Sequence, residues 1–375
     1  MSGRQRRIIP WGLLGMLALV LASERYVARH ALDFTRPESW DWRLSGQAAR
    51  KKAPKCQVLC FGTSRVQQAF VPQVVQERSG LRAWNLATCW GQAPSSYFML
   101  RRALAAGGKP SAVVVEYHPQ CLAGDHWQAV RFWPELLGPR EGLDLAWTAR
   151  DAEFLATTLL AHVFPSIKDR FQIRANVRAA LRGEKSDDLA WNTLTISRNK
   201  NKNRGALVAI RNTRYQGDLS SPMAAGFLPE SWACDPVNEG YIRRLLDLAR
   251  SRGITVYWLI PPVTPELQAR REQKGLDALY ARFARGFLDR YPNLVVLDAR
   301  RSGYGASVFL DPAHLDRQGA CTLSADVGDL LRARVGIGTG RRWIALPAYR
   351  DLATRVPMED LSESQVALAT RRTRR

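Results

Sequence analysis

Metal-ligating and disulfide-forming residues are scarce in this sequence. Its 375 residues include six cysteines and five histidines. Cys56, Cys60, Cys89, Cys121, Cys234 and Cys321 lie far apart and follow no zinc-site spacing. Cys56 and Cys60 flank one expected strand and, four residues apart, would share a face. Buried free thiols are the reading for most of the six, with pairing of some left open in an exported protein. Asp125-His126 and Asp311 with His314 are the nearest carboxylate–imidazole pairs, too few for a metal centre, so neither metal nor cofactor is expected. Gly-rich phosphate loops of both nucleotide-binding types are missing, and there is no internal repeat. Long apolar runs are equally scarce. A slightly negative mean hydropathy excludes a polytopic membrane protein and leaves at most one spanning segment. With 46% hydrophobic and 24% charged residues, the composition is that of a globular chain.

Acidic residues are the other shortage: 34 stand against 55 basic ones, a net charge of +21. Such a surplus draws anionic partners, whether nucleic acid, phospholipid headgroups or acidic polysaccharide. Most of the basic residues are arginines scattered along the chain, with one dense run at Arg371, Arg372, Arg374 and Arg375. A nucleic-acid domain would gather them on one element, so a diffusely basic surface is the plainer reading.

The first 30 residues carry a targeting pattern. Arg4, Arg6 and Arg7 precede an uncharged, mostly apolar run from Ile8 to Ala22. A basic flank followed by an apolar run marks a signal peptide or signal anchor. Val20-Leu21-Ala22 before Ser23 would suit cleavage, whereas Tyr26 and Val27 would extend an uncleaved helix to the interface; the anchor is favoured. In either case the positive-inside rule sends the bulk of the chain to the extracytoplasmic, periplasmic side, or to secretion after cleavage.

From Gln57 onward, apolar strands alternate with helices. Strands are expected at Gln57–Phe61, Leu81–Ala87, Ala112–Tyr117, Ile254–Ile260 and Leu294–Asp298. Helices are expected at Val71–Glu77, from Pro94 to Gly107-Gly108, and at Val237–Arg252, Pro265–Arg290 and Arg317–Arg334. Continuous apolar strands separated by helices imply a three-layer α/β sandwich with a mostly parallel sheet of about five strands. The α/β domain is placed at residues 50–335, interrupted by an insertion at about 121–235. Within it, Trp147–His162 and Ile167–Leu181 look helical, and the polar run Arg198–Arg204 reads as a solvated loop. Insertions of this kind usually sit beside the strand carboxyl ends and shape a substrate site. Residues 336–375 read as a basic, partly disordered tail.

Two short stretches carry the chemistry. Gly62-Thr63-Ser64-Arg65 follows the first strand, and Asp311-Pro312-Ala313-His314 precedes the last helix. Ser64 lies at a strand carboxyl end and at a helix entry, where backbone N–H groups favour developing negative charge. A serine hydroxyl becomes a nucleophile once a base takes its proton; His314 is a candidate base, and Asp311 a candidate partner for its imidazole. Singly, each has a plainer reading: a helix cap for Ser64, a chance pair for Asp-x-x-His. Placement at the first and last sheet connections links them.

That order of strand, Gly-x-Ser, glycine after the second strand, and Asp-x-x-His before a terminal helix resembles the SGNH (GDSL-type) hydrolase superfamily. More narrowly it resembles an envelope branch that includes alginate O-acetylation proteins and the teichoic-acid D-alanine transfer protein. The resemblance covers about Gln57–Tyr117 and Ile254–Arg334. It implies a flavodoxin-like fold with Ser64 as nucleophile and Asp311 and His314 completing a triad. Gly91, in Trp84-Asn85-Leu86-Ala87-Thr88-Cys89-Trp90-Gly91, matches the glycine whose N–H joins that of Ser64 in the oxyanion hole. Thr63 stands where the family usually has aspartate. After the third strand, Glu116-Tyr117-His118-Pro119 contains no oxyanion-hole asparagine. Either His118 donates through its ring N–H, or the hole has two donors, or His118 only makes a local strand-end bond. Arg65 and His118 are candidate substrate contacts. The implied activity is that of a serine esterase or O-acyltransferase acting on an acylated envelope or exported polysaccharide. The alternative is a catalytically inactive polysaccharide-binding or assembly protein. Nucleic acid is argued against by the exported location.

Overall fold

The structure, a computed structural model, describes residues 11–184, 188–210, 215, 219, 226–334, 342–352, 354 and 356–373. The basic flank Arg4, Arg6 and Arg7, the apolar start Ile8–Pro10, and Arg374 and Arg375 lie outside them.

Six parallel strands form one sheet in the order β2-β1-β3-β4-β5-β6. They are β1 (Val58–Phe61), β2 (Ala83–Asn85), β3 (Ala112–Val115), β4 (Thr255–Ile260), β5 (Leu294–Asp298) and β6 (Trp343–Ala345). β1 to β5 are apolar on both sides because each side meets helices. Leu59, Phe61, Val113, Val115 and Trp258 pack with Trp42, Phe98, Tyr241 and Phe287 on one face. Val58, Cys60, Val114, Tyr257 and Leu259 alternate with them and pack with Val66, Val75, Leu323 and Val327 on the other. Burying both faces of a parallel sheet is what its unbroken valine, leucine and aromatic runs are suited to. The order turns outward in both directions from β1 and β3, the topological switch where doubly wound sheets open a crevice at their carboxyl ends. Register places Phe61 beside Val115. The residues that follow β1 and β3 therefore leave the sheet side by side.

Four local expectations change. Tail residues Trp343–Ala345 form the sixth strand, with Val296 opposite Trp343, and Leu361–Thr373 is helical. Being short and only half-buried, that edge strand has no long apolar run to announce it. The expected long helix after β4 divides into Pro265–Gln273 and Leu276–Leu288 at Gly275, whose backbone is left-handed. The expected Trp147–His162 helix is likewise two, Pro139–Ala149 and Ala152–Val163, broken where Arg150 turns left-handed. The polar run Arg198–Arg204 is no solvated loop: it completes the Leu189–Lys202 helix and buries Asn199, Lys200 and Asn203. Their polar groups are satisfied inside, Asn199 and Asn203 by the Glu359 carbonyl and Lys200 by Asp41. All six cysteines are unpaired.

The helix Trp11–Arg29 is long and apolar enough to cross a bilayer, and nearly all of it is exposed, Trp11 by 74%. Its far end joins the fold. Val27 is buried, and Glu24 accepts hydrogen bonds from the N–H and hydroxyl of Ser166.

Candidate active site

The turn after β1 is built around backbone crowding. Gly62 has φ of +149°, and a Cβ there would overlap the carbonyl oxygen of Glu116, so the chain passes hard against the end of β3. Thr63 caps the helix Ser64–Ala69, its Oγ1 accepting from the Arg65 N–H at 3.3 Å. Glu116 holds the same residue from behind. Its Oε2 accepts from the Thr63 N–H at 2.9 Å and from the Thr63 hydroxyl at 2.7 Å. Ser64 is thus the first residue of a helix whose entry is fixed by a buried carboxylate. First-turn N–H groups have no partner within a helix, and that of Ser64 meets no acceptor among the described residues.

His314 arrives from the other end of the chain. Phe309 and Leu315 form an antiparallel bridge, and the Leu310 N–H donates to the His314 carbonyl at 2.8 Å, so the intervening loop is a closed turn. Inside it, Asp311 Oδ1 accepts from the N–H groups of Ala313 (2.9 Å) and His314 (3.0 Å). Asp311 Oδ2 lies 2.7 Å from His314 Nδ1, and His314 Nε2 lies 2.8 Å from Ser64 Oγ. With Nδ1–H donating to the carboxylate, Nε2 presents its lone pair to the serine hydroxyl. Burial opposes ionisation of Asp311. The bond to His314, its charge and the two backbone N–H groups outweigh that and hold the carboxyl below its usual range.

Gly91, Arg65 and His118 take other parts. The Gly91 N–H donates to the Thr88 carbonyl at 3.1 Å, so it is not directed at Ser64. What this glycine provides is closeness: a Cβ would overlap the Gly62 carbonyl oxygen, and the Thr88 N–H bonds that same oxygen at 3.1 Å. Arg65 is turned inward. Its Nη2 donates to the carbonyls of Pro261 (2.8 Å) and Pro262 (3.2 Å), and its Nη1 lies 3.7 Å from Glu116 Oε1. It ties the Ser64 turn to the loop after β4, its charge turned inward. His118 is buried, with Nδ1 accepting from the Gln120 N–H at 3.2 Å. Burial, with the charges of Arg65, Arg271 and His314 nearby, pushes its pKa well down, so the ring is neutral. A neutral ring that accepts at Nδ1 carries its proton on Nε2, leaving one ring donor available.

Glu116 and Asp41 are the supporting residues that motif reading passed over. Glu116 follows three consecutive valines, and a lone charge ending a buried strand was its available signal. Asp41 had none, since its partners are remote in sequence. Its carboxylate accepts from Gln67 Nε2 at 3.0 and 2.9 Å and from the Cys89 N–H at 2.9 Å, and it pairs with buried Lys200. One carboxylate thereby joins the helix of Ser64, the loop of Gly91 and the insertion.

The chain matches the family model described as "Protein of unknown function (DUF1574)" over residues 31–325, and it belongs to that family. Among curated proteins nothing matches it.

Proposed function

We propose that this member of the DUF1574 family is an SGNH-type serine esterase or O-acyltransferase working through an acyl-enzyme. The observation that carries the reading is the chain Asp311–His314–Ser64, closed at 2.7 and 2.8 Å by residues 250 positions apart. Further support comes from the strand order 2-1-3-4-5, with Ser64 after β1 at the switch point where ligands of such sheets collect.

In the proposed reaction, Ser64 Oγ attacks an ester carbonyl carbon as its proton passes to His314 Nε2. Asp311 stabilises the resulting imidazolium and keeps its orientation. The carbonyl oxygen takes the negative charge toward the Ser64 N–H, with the Nε2–H of His118 as the candidate second donor. Collapse expels the alcohol, which takes the proton from His314, and leaves the acyl group on Ser64. Water or a sugar hydroxyl then repeats the sequence in reverse. Hydrolysis and transfer use the same residues and differ only in the acceptor. The N-terminal helix and the net charge of +21 favour an anchored, outward-facing protein and an acidic, acylated envelope polysaccharide as substrate.

A second reading rests on Gly91, whose N–H is taken by Thr88. Losing one oxyanion donor costs on the order of 10² to 10³ in rate, and a protein that binds such a polysaccharide without turnover would keep the same fold. Incubation with an O-acetylated uronic-acid polysaccharide separates the two. The proposal expects acetate release, or acetyl transfer to an added sugar, by the wild type and none by Ser64→Ala. Binding without release or transfer by the wild type supports the second reading.

A further inference from the structure

We propose that the helices Ala152–Val163 and Pro165–Leu181 make a second membrane contact, lying at headgroup depth in a bilayer that contains anionic phospholipid. Depth follows from the N-terminal helix. Ile8 to Ser23 contains no charged residue, and Glu24 is the first after it, so Glu24 marks where the chain leaves the hydrocarbon. Ser166, at the start of the second helix, bonds Glu24 through its N–H at 3.0 Å and through its hydroxyl. Asn176, almost three turns on, donates to the Asp33 carbonyl at 3.2 Å. The pair of helices is therefore held where the membrane-length helix emerges.

Their free faces suit that depth. Ala152–Val163 exposes Leu159, Leu160 and Val163, the last by 64%, and carries no charged residue after Glu153. Pro165–Leu181 exposes Phe171, Val177 and Leu181, interleaved with exposed Arg170, Arg174 and Arg178. Its one acidic residue, Asp169, is turned inward and accepts from Thr35. A groove of about 430 Å³ opens between the two helices and residues 127–131, lined by Leu160, Ile167, Phe171, Lys168, Arg131 and Arg170. Apolar side chains for the acyl boundary and arginines for phosphate form the pattern of an interfacial helix. A second copy of this chain fits less well, because a two-fold contact pairs the same patch on both copies and would bring two sets of three arginines together.

The test uses the full chain reconstituted in vesicles, with Cys89 and Cys234 replaced by alanine and single spin labels introduced. Labels at Leu160→Cys, Val163→Cys and Leu181→Cys are compared with one at Leu279→Cys on the Leu276–Leu288 helix. In vesicles of phosphatidylglycerol and phosphatidylcholine, the first three should relax several-fold more with oxygen than with an aqueous nickel chelate, and the Leu279→Cys label the reverse. In phosphatidylcholine alone their immersion should fall. The R170Q/R174Q/R178Q variant should show no difference between the two lipids. Nickel accessibility equal to that at Leu279→Cys overturns the proposal, as does equal wild-type immersion in both lipids. Spin–spin broadening between copies at these positions assigns the face to a second copy and also overturns it. Acyl-transfer chemistry enters none of these readouts.

Discussion

Glu116 Oε2 accepts both the N–H and the hydroxyl of Thr63, at 2.9 and 2.7 Å, one residue before Ser64. The end of β3 thus sets the entry of the helix that presents the serine, and Arg65 returns from that helix to the same carboxylate. Glu116→Ala should remove about 3 kcal/mol of stability by leaving a buried guanidinium without its counter-charge. Glu116→Gln, which still accepts from Thr63, should lose less. Urea denaturation of the two variants checks the order.

Gly91→Ala tests the close approach of the two loops. A Cβ at this position meets the backbone of Gly62, which has no flexible end to swing away. The cost expected is about 2 kcal/mol, with slower reaction of Ser64 because the turn before it must shift. Thermal unfolding and the rate at which a fluorophosphonate modifies Ser64 read these separately.

Asp311 gives an acid-dependent signature. Its carboxyl is held below the usual range in the fold, so its contribution to stability is complete above the unfolded-state pKa of about 3.9. That contribution disappears as pH falls through the lower folded-state value. The share of the stability gap between wild type and Asp311→Asn that this carboxylate supplies should therefore hold down to about pH 4 and shrink as the pH falls further. Denaturant titrations across that range check it. A gap that stays undiminished down to about pH 2 contradicts the lowered carboxyl pKa. If Asp311 serves His314 as proposed, the same variant should acylate slower by on the order of 10⁴ at neutral pH.

Lys200 tests the tie between insertion and site. It is buried, pairs with Asp41 and donates to the Ser45 hydroxyl at 3.1 Å. Lys200→Met should cost about 3 kcal/mol by leaving Asp41 buried without a counter-charge. Because Asp41 also holds Gln67 and Cys89, the loss should spread to the Ser64 helix as faster amide exchange.

How much of this is legible in the sequence depends on how local each signal is. β1 and β3 are visible because each is an unbroken apolar run, and Gly62-Thr63-Ser64 is visible because it interrupts one. The division of Pro265–Arg290 at Gly275 is also a local mark, outweighed there by the helical pattern on both sides. Lys200 and Asn199 look like surface residues because their partners, Asp41 and the segment around Glu359, are some 160 positions away. β6 is apolar, Trp-Ile-Ala, but three residues at a half-exposed edge are too short a run to stand out as a strand. The position of Gly91 is readable from its neighbours, but the direction of its N–H depends on the turn back to Thr88, which composition does not encode.

If Ser64 is a nucleophile driven by His314, it should react with a fluorophosphonate, and peptide mass spectrometry of the treated full chain reads that reaction. One stoichiometric adduct on Ser64 is expected, absent in Ser64→Ala and slowed by orders of magnitude in His314→Ala. A folded wild-type chain that stays unlabelled, or one labelled equally well without His314, would contradict it.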